Sequence, residues 1–168
     1  NTLEHTHDSV QDYYGHVLSN SKDLKTNACC SLDTIPDHLK QLIRNIEPEV
    51  LDRFYGCGAP VPTGLEGCTV LDLGCGSGRD TYLASRLVGE HGHVYGLDMT
   101  DEQLNVARSC LPRQMERYGY EKPNVTFLKG YIEDLKTPGI EDNSIDVVIS
   151  DCVINLSPEK ESVFREAF

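Results

Sequence analysis

Apolar and polar positions along the chain follow two periods, helical in the first third and strand-like in alternation with helices thereafter. Val10, Tyr13, Tyr14, Val17 and Leu18 recur three or four residues apart, which predicts an amphipathic helix over 10–18. Its apolar face reads as a lid packed on the main body. Residues 1–8 are polar and acidic, read as loose, with His5 and His7 solvated. A polar stretch over 19–32 reads as a loop. Ile35-Pro36 then opens a second helix, with Pro36 near its first position and Leu39, Leu42, Ile43 and Ile46 as its apolar stripe. Pro48 restarts a short helix to about residue 55, which Gly56-Cys57-Gly58-Ala59-Pro60 breaks.

From residue 69 the pattern alternates. Apolar runs at 69–73, 93–98, 125–129 and 145–150 read as strands, and the intervening segments at 80–88 and 100–119 as helices. Gly89 and Gly119 stop those helices. Thr100 and Gln103 have the spacing of a capping box, and Pro112 is expected to kink or divide its helix. Ser157-Pro158-Glu159 starts a last helix, inside which the sequence stops. Such alternation implies an α/β fold with a parallel sheet. In the order 3-2-1-4, strand four would be an apolar edge. The expectation is therefore a fragment of about four strands, with a helical cap over 1–66 and a core over 67–168.

Composition narrows the partners. The length of 168 residues suffices for one domain with a core of its own. A net charge of −12 argues against nucleic acid or an anionic membrane as partner. No apolar run approaches the ~18 residues that span a bilayer, and the first residues do not read as a signal peptide. The seven cysteines then point to reduced thiols in a cytoplasmic protein rather than to a disulfide scaffold.

The candidate chemistry begins at Asp72-Leu73-Gly74-Cys75-Gly76-Ser77-Gly78, a glycine turn between strand and helix. Such a turn lets a ligand approach the backbone closely. Asp98 ends the next strand, where an acid accepts ribose hydroxyls. Position 79, where a dinucleotide fingerprint has its third glycine, is Arg79, and Asp72 would stand against a pyrophosphate. The turn thus favours S-adenosylmethionine, which carries positive charge and no phosphate, over NAD. Topology sets Cys152, just past strand four, at the same crevice. Cys57, between two glycines, is equally read as ligand or as a small packed side chain. Cys29 lies on the loop best placed to close over the site. Cys68, Cys75 and Cys110 read as small hydrophobes, and no C-x₂₋₄-C pair supports structural zinc.

The pieces Thr26-Asn27-Ala28-Cys29, Tyr55-Gly56-Cys57-Gly58, the glycine turn through Asp80, Gly96-Leu97-Asp98-Met99-Thr100, Gly130-Tyr131-Ile132-Glu133 and Cys152-Val153-Ile154-Asn155-Leu156 together resemble the arsenite S-adenosylmethionine methyltransferases. The resemblance covers nearly the whole chain. It implies a Rossmann-like class I methyltransferase fold, with Cys57 and Cys152 as thiolates holding trivalent arsenic and Cys29 as a disulfide partner of Cys57 or a further arsenic ligand. It also implies Asp98 at the ribose, Ile132 and Glu133 at the adenine, Gly74 and Gly76 at the methionine end, and Tyr55 and Met99 lining the pocket. The resemblance also places Asp151 in the cofactor pocket, where many members have asparagine, so that the pocket hydrogen bond there changes character. The family further has a downstream cysteine and a C-terminal domain beyond this stretch. The implied partners are arsenic as a thiol conjugate and an external thiol reductant, thioredoxin or glutathione, with a monomeric enzyme. Two alternatives remain: a methyltransferase for another small molecule, and a non-catalytic arsenic-binding module.

Overall fold

A computed structural model describes residues 2–18 and 35–168, without the side chains of residues 2–4. The chain runs α1 (Thr2–Asp12), α2 (Asp37–Ile43), α3 (Pro48–Asp52), β1 (Thr69–Leu73), α4 (Arg79–Val88), β2 (His93–Asp98), α5 (Asp101–Tyr118), β3 (Val125–Lys129), β4 (Val147–Ser150) and α6 (Lys160–Ala167). The strands form one sheet in the order β3-β2-β1-β4, all parallel. Leu71 pairs with Tyr95 on one side and Val148 on the other. After β3 the chain crosses back to set β4 beside β1, so the direction of growth of the sheet reverses between β1 and β4 and leaves a crevice above their carboxyl ends.

The sheet has apolar layers on both faces. One contains Val70, Tyr82, Leu83, Val94, Leu104 and Phe127, and it extends into the cap through Leu39, Ile43, Ile46 and Val50. The other contains Leu71, Leu73, Leu97, Ile132 and Val163. Two-sided burial is why the strands read as continuous apolar runs rather than alternating ones. The cap is also tied by polar contacts. Ser77 donates to the Val50 carbonyl at 2.8 Å, and the Glu47 N–H donates to Gln114 Oε1 at 2.8 Å.

Four expectations change. Residues 1–8 were expected loose, but α1 begins at Thr2 and runs on through a π turn, Tyr13–Val17. It is fastened by polar groups, Gln11 Nε2 donating to the Met99 carbonyl at 2.8 Å, a signal that apolar spacing does not register. The Thr100–Gln103 capping box does not form, because Asp98 Oδ1 accepts the Thr100 N–H at 2.8 Å and Thr100 makes no side-chain cap bond. Pro112 lies inside an undivided α5, whose buried face, Leu104, Ala107, Cys110 and Met115, holds the helix on the sheet. The fourth strand begins at Val147 rather than 145, since the Asp146 N–H donates to Thr69 and its carboxylate accepts the Thr69 N–H. Among the described residues no helix is long and apolar enough to cross a membrane.

Candidate functional site

The turn after β1 is fixed by its backbone. The N–H groups of Gly74 and Cys75 both donate to the Leu97 carbonyl, at 2.8 and 2.9 Å, which joins the ends of β1 and β2. Gly74 has φ +74°, and a Cβ there would drive into Val153. Gly76 has φ +55°, and a Cβ there would meet nothing within 4 Å, so the backbone borders open space. Asp98 Oδ2 accepts the Gly76 N–H at 2.8 Å. The carboxylate thereby ties the turn to the head of α5.

The turn forms one wall of an open crevice. Every residue assigned to the cofactor by the resemblance lines it: Tyr55, Gly74, Gly76, Asp98, Met99, Ile132, Glu133 and Asp151. So does Cys152. Cys29 lies outside the described residues.

Carboxylates dominate the electrostatics of this crevice. Asp72, Asp80, Asp98, Glu133 and Asp151 line it, against one arginine, Arg53. Burial pushes the Asp72 carboxyl well above its ordinary range; the charge of Asp80 adds to this, and the Thr81 hydroxyl, 2.7 Å away, opposes it. Burial also raises Asp80 to about 6, opposed by Arg79, and raises Asp98 against the backbone N–H groups of Thr100 and Gly76. Carboxyls held up in this way would ionise more readily beside a cation. One acceptor is also left over: Gln103 Oε1 is buried and has no hydrogen-bond partner among the described residues. A buried acceptor of this kind is costly unless a donor meets it. This set of acceptors therefore fits a nucleoside bearing hydroxyls, an amine and positive charge, and it repels a pyrophosphate.

At the rim, β4 and the cap meet. Against the expectation of reduced thiols, Cys57 and Cys152, 95 residues apart in sequence, are joined as a disulfide with their Cα atoms 6.3 Å apart. Cys152 is the exposed partner and has φ +58°, a left-handed conformation uncommon outside glycine. Asp151 holds the opposing loop: Oδ1 accepts the Cys57 N–H at 3.0 Å and Oδ2 accepts the Gly58 N–H at 3.2 Å. A carboxylate can accept both N–H groups, whereas an asparagine offers one oxygen and a competing NH₂. Beneath it, the buried Arg79 donates to Asp80 at 2.6 Å and to the Gly58 carbonyl, and its guanidinium lies 3.3 Å from the centre of the Phe54 ring. The sulfurs of Cys57 and Cys152 and an oxygen of Asp151 all lie within 4.8 Å of one another.

Reading by sequence missed several lining residues, including His7, Tyr14, Phe54, Gln103 and Ser157. Tyr14 fits the apolar stripe of its helix, and Gln103 the spacing of a capping box with Thr100, so neither stands out as a lining residue. His7 is not solvated as expected but packs on Tyr131 and reaches Glu133, partners more than 120 residues away that no local pattern reveals.

The chain is 56% identical over 162 residues to the arsenite methyltransferase of Aquipseudomonas alcaligenes, covering 96% of this chain and 46% of that protein. It is 51% identical over 160 residues to the human arsenite methyltransferase, covering 95% of this chain and 43% of that protein. The chain thus spans less than half the length of these curated relatives. Its structure superposes on the crystal structure of an arsenic(III) S-adenosylmethionine methyltransferase from Chlamydomonas reinhardtii with a TM-score of 0.76 and 51% identity, over 79% of this chain and 44% of that one. Residues 65–168 match the family model described as a methyltransferase domain. That segment carries all four strands, the glycine turn and Asp98, and the chain belongs to the methyltransferase-domain family.

Proposed function

We propose that this chain is the cofactor-binding and thiol-bearing part of an enzyme that methylates trivalent arsenic from S-adenosylmethionine. The observation that carries the reading is the meeting of Cys57 and Cys152 at the rim of an acidic nucleoside-type crevice. Trivalent arsenic is soft and takes thiolates in preference to oxygen or nitrogen ligands. S-adenosylmethionine, when bound, would supply an electrophilic methyl group on a sulfonium. Asp98 would accept the ribose hydroxyls, Ile132 and Glu133 would hold the adenine, and Gly74 and Gly76 would leave room for the methionine end. Tyr55 and Met99 would flank the nucleoside. Cys57 and Cys152 would ligate arsenic and leave its lone pair free, and Asp151 would keep the Cys57 loop in place. Holding two reactants in fixed relative orientation is the chain's main contribution, because it removes the entropy of bringing them together. No general base is required.

The thiols must be reduced before they ligate. The Cys57–Cys152 bond takes two electrons and two protons, which an external thiol reductant, thioredoxin or glutathione, would provide. Cys29 would exchange with Cys57 in that cycle or add a third sulfur. Arsenic would arrive as a thiol conjugate, in the cytoplasm, at a monomeric enzyme with a cap over 1–66 and a core over 67–168.

The test is intact-protein mass spectrometry of the reduced chain with arsenite, alongside transfer of a labelled methyl group. Cys57→Ser and Cys152→Ser should each lower arsenite retention by more than ~10-fold, since one thiolate loses the chelate. Their affinity for S-adenosylhomocysteine should stay within about 2-fold of the unsubstituted chain, because no thiol of the pair is assigned to the nucleoside. Full retention of arsenite by either variant would reject the assignment. Retention with no labelled product would leave a binding module that does not turn over.

A further inference from the structure

The first helix lies outside the segment matched to the methyltransferase domain, yet it reaches into the crevice. The His7 side chain is 13% exposed and stacks on Tyr131, with ring centres 4.5 Å apart and planes 19° apart. Its Nε2 lies 3.3 Å from Glu133 Oε1. The Ser157 hydroxyl donates to that same oxygen. Glu133 is 9% exposed and lines the crevice, and its other oxygen, Oε2, makes no hydrogen bond among the described residues. One turn along α1, Gln11 donates to the Met99 carbonyl on the neighbouring wall, so the helix cannot slide without breaking a second contact.

A carboxylate fastened through one oxygen by two donors has a fixed rotamer, and its remaining oxygen becomes a directed acceptor. An acceptor open to the crevice, which a bound ligand would desolvate, selects for a ligand N–H and against a ligand that lacks it, because the unmatched complex leaves it unpaired. We propose that His7 is a positioning residue: it holds Glu133 so that Oε2 accepts from the exocyclic amino group of the cofactor's adenine, and it makes α1 part of base recognition rather than a passive cover. This rests on the reading of the crevice as an S-adenosylmethionine site. The His7–Tyr131 stack contributes apolar contact that any aromatic ring at position 7 would also supply. The contact to Glu133 needs a polar group, with hydrogen on Nε2 in the donating tautomer.

Two substitutions separate these roles. His7→Phe keeps a ring on Tyr131 and removes the donor; His7→Gln keeps a donor and removes the ring. Each is titrated calorimetrically with S-adenosylhomocysteine and with its analogue carrying hydrogen in place of the 6-amino group. The unsubstituted chain should favour the amino ligand by about 10- to 100-fold, the range for a hydrogen bond to a charged group. In His7→Phe the preference should fall to within about 3-fold, while His7→Gln keeps most of it. A preference in His7→Phe equal to that of the unsubstituted chain overturns the inference and leaves the crevice reading intact. Equal weakening of both ligands also preserves the ratio and counts the same way. If the unsubstituted chain binds neither ligand, the reading of the crevice fails and this inference falls with it.

Discussion

The Asp98 carboxylate accepts one N–H from the glycine turn and one from the head of α5, so it is oriented before any ligand arrives. A preoriented acceptor costs less to use in binding than one that must be ordered. Replacing it, Asp98→Ala, removes the proposed ribose acceptor and also releases both N–H groups. We expect S-adenosylhomocysteine to bind about 10- to 100-fold more weakly, the range for loss of a charge-assisted bond. Calorimetry checks this, and an unchanged dissociation constant would exclude the ribose role. Asp151 works by the same principle at the thiol rim, where it clamps two successive N–H groups of the cap loop. Gly56, just before them, has no room for a side chain, because a Cβ would meet the Asp151 carboxylate and the Phe54 ring. Asp98 and the glycine turn were legible in sequence because their spacing along the chain is local. Asp151 as a clamp was not, since its partners lie more than 90 residues away.

Among the elements, α5 holds against its own composition. Proline in a helix interior removes a backbone bond and crowds the preceding turn, yet α5 runs unbroken from Asp101 to Tyr118 through the exposed Pro112. Packing against the sheet supplies what the local sequence takes away. Pro112→Ala should therefore stabilise the chain, by about 1–3 kcal/mol if no kink is needed elsewhere. Chemical denaturation measures it, and a loss of stability would mean that the bend itself is used. The helix α1 makes the opposite case. It is fastened to the body through His7 and Gln11, and the π turn that continues it brings His16 to 3.3 Å from Glu102 at the surface. A search for apolar periodicity finds only its second half, because polar side chains fasten the first.

At the scale of the whole molecule, the acid cluster couples folding to pH. Asp72, Asp80 and Asp98 are all raised by burial, Asp80 to about 6. Between the unfolded carboxylate value, about 4, and those raised values, the native chain holds more protons than the unfolded one. Its stability therefore falls as pH rises through that window. For Asp80 alone the loss amounts to about 3 kcal/mol, complete once the pH exceeds its folded value. The melting temperature of the chain should accordingly decline from pH 4 to pH 6 on account of this cluster. A cationic nucleoside reverses the trend, because it favours the ionised carboxylates. The rise in melting temperature caused by S-adenosylmethionine should grow over the same interval. Thermal scans at half-unit steps test both slopes, and a ligand effect independent of pH would mean that these acids do not face the positive charge.

The alternation of strands and helices from residue 69 and the parallel sheet follow from the sequence alone, whereas the 3-2-1-4 order is only assumed there and is given by the structure. The first two rest on short-range rules: two-sided burial makes apolar runs, and helices alternate with strands. The glycine turn and the acid that follows it are legible for the same reason. Only the tertiary structure brings Cys57 to Cys152, Asp151 to the cap loop and His7 to Glu133. Those contacts depend on how separate elements stack, a long-range consequence of burying the cap and the sheet in a common core, and no spacing along the chain encodes them.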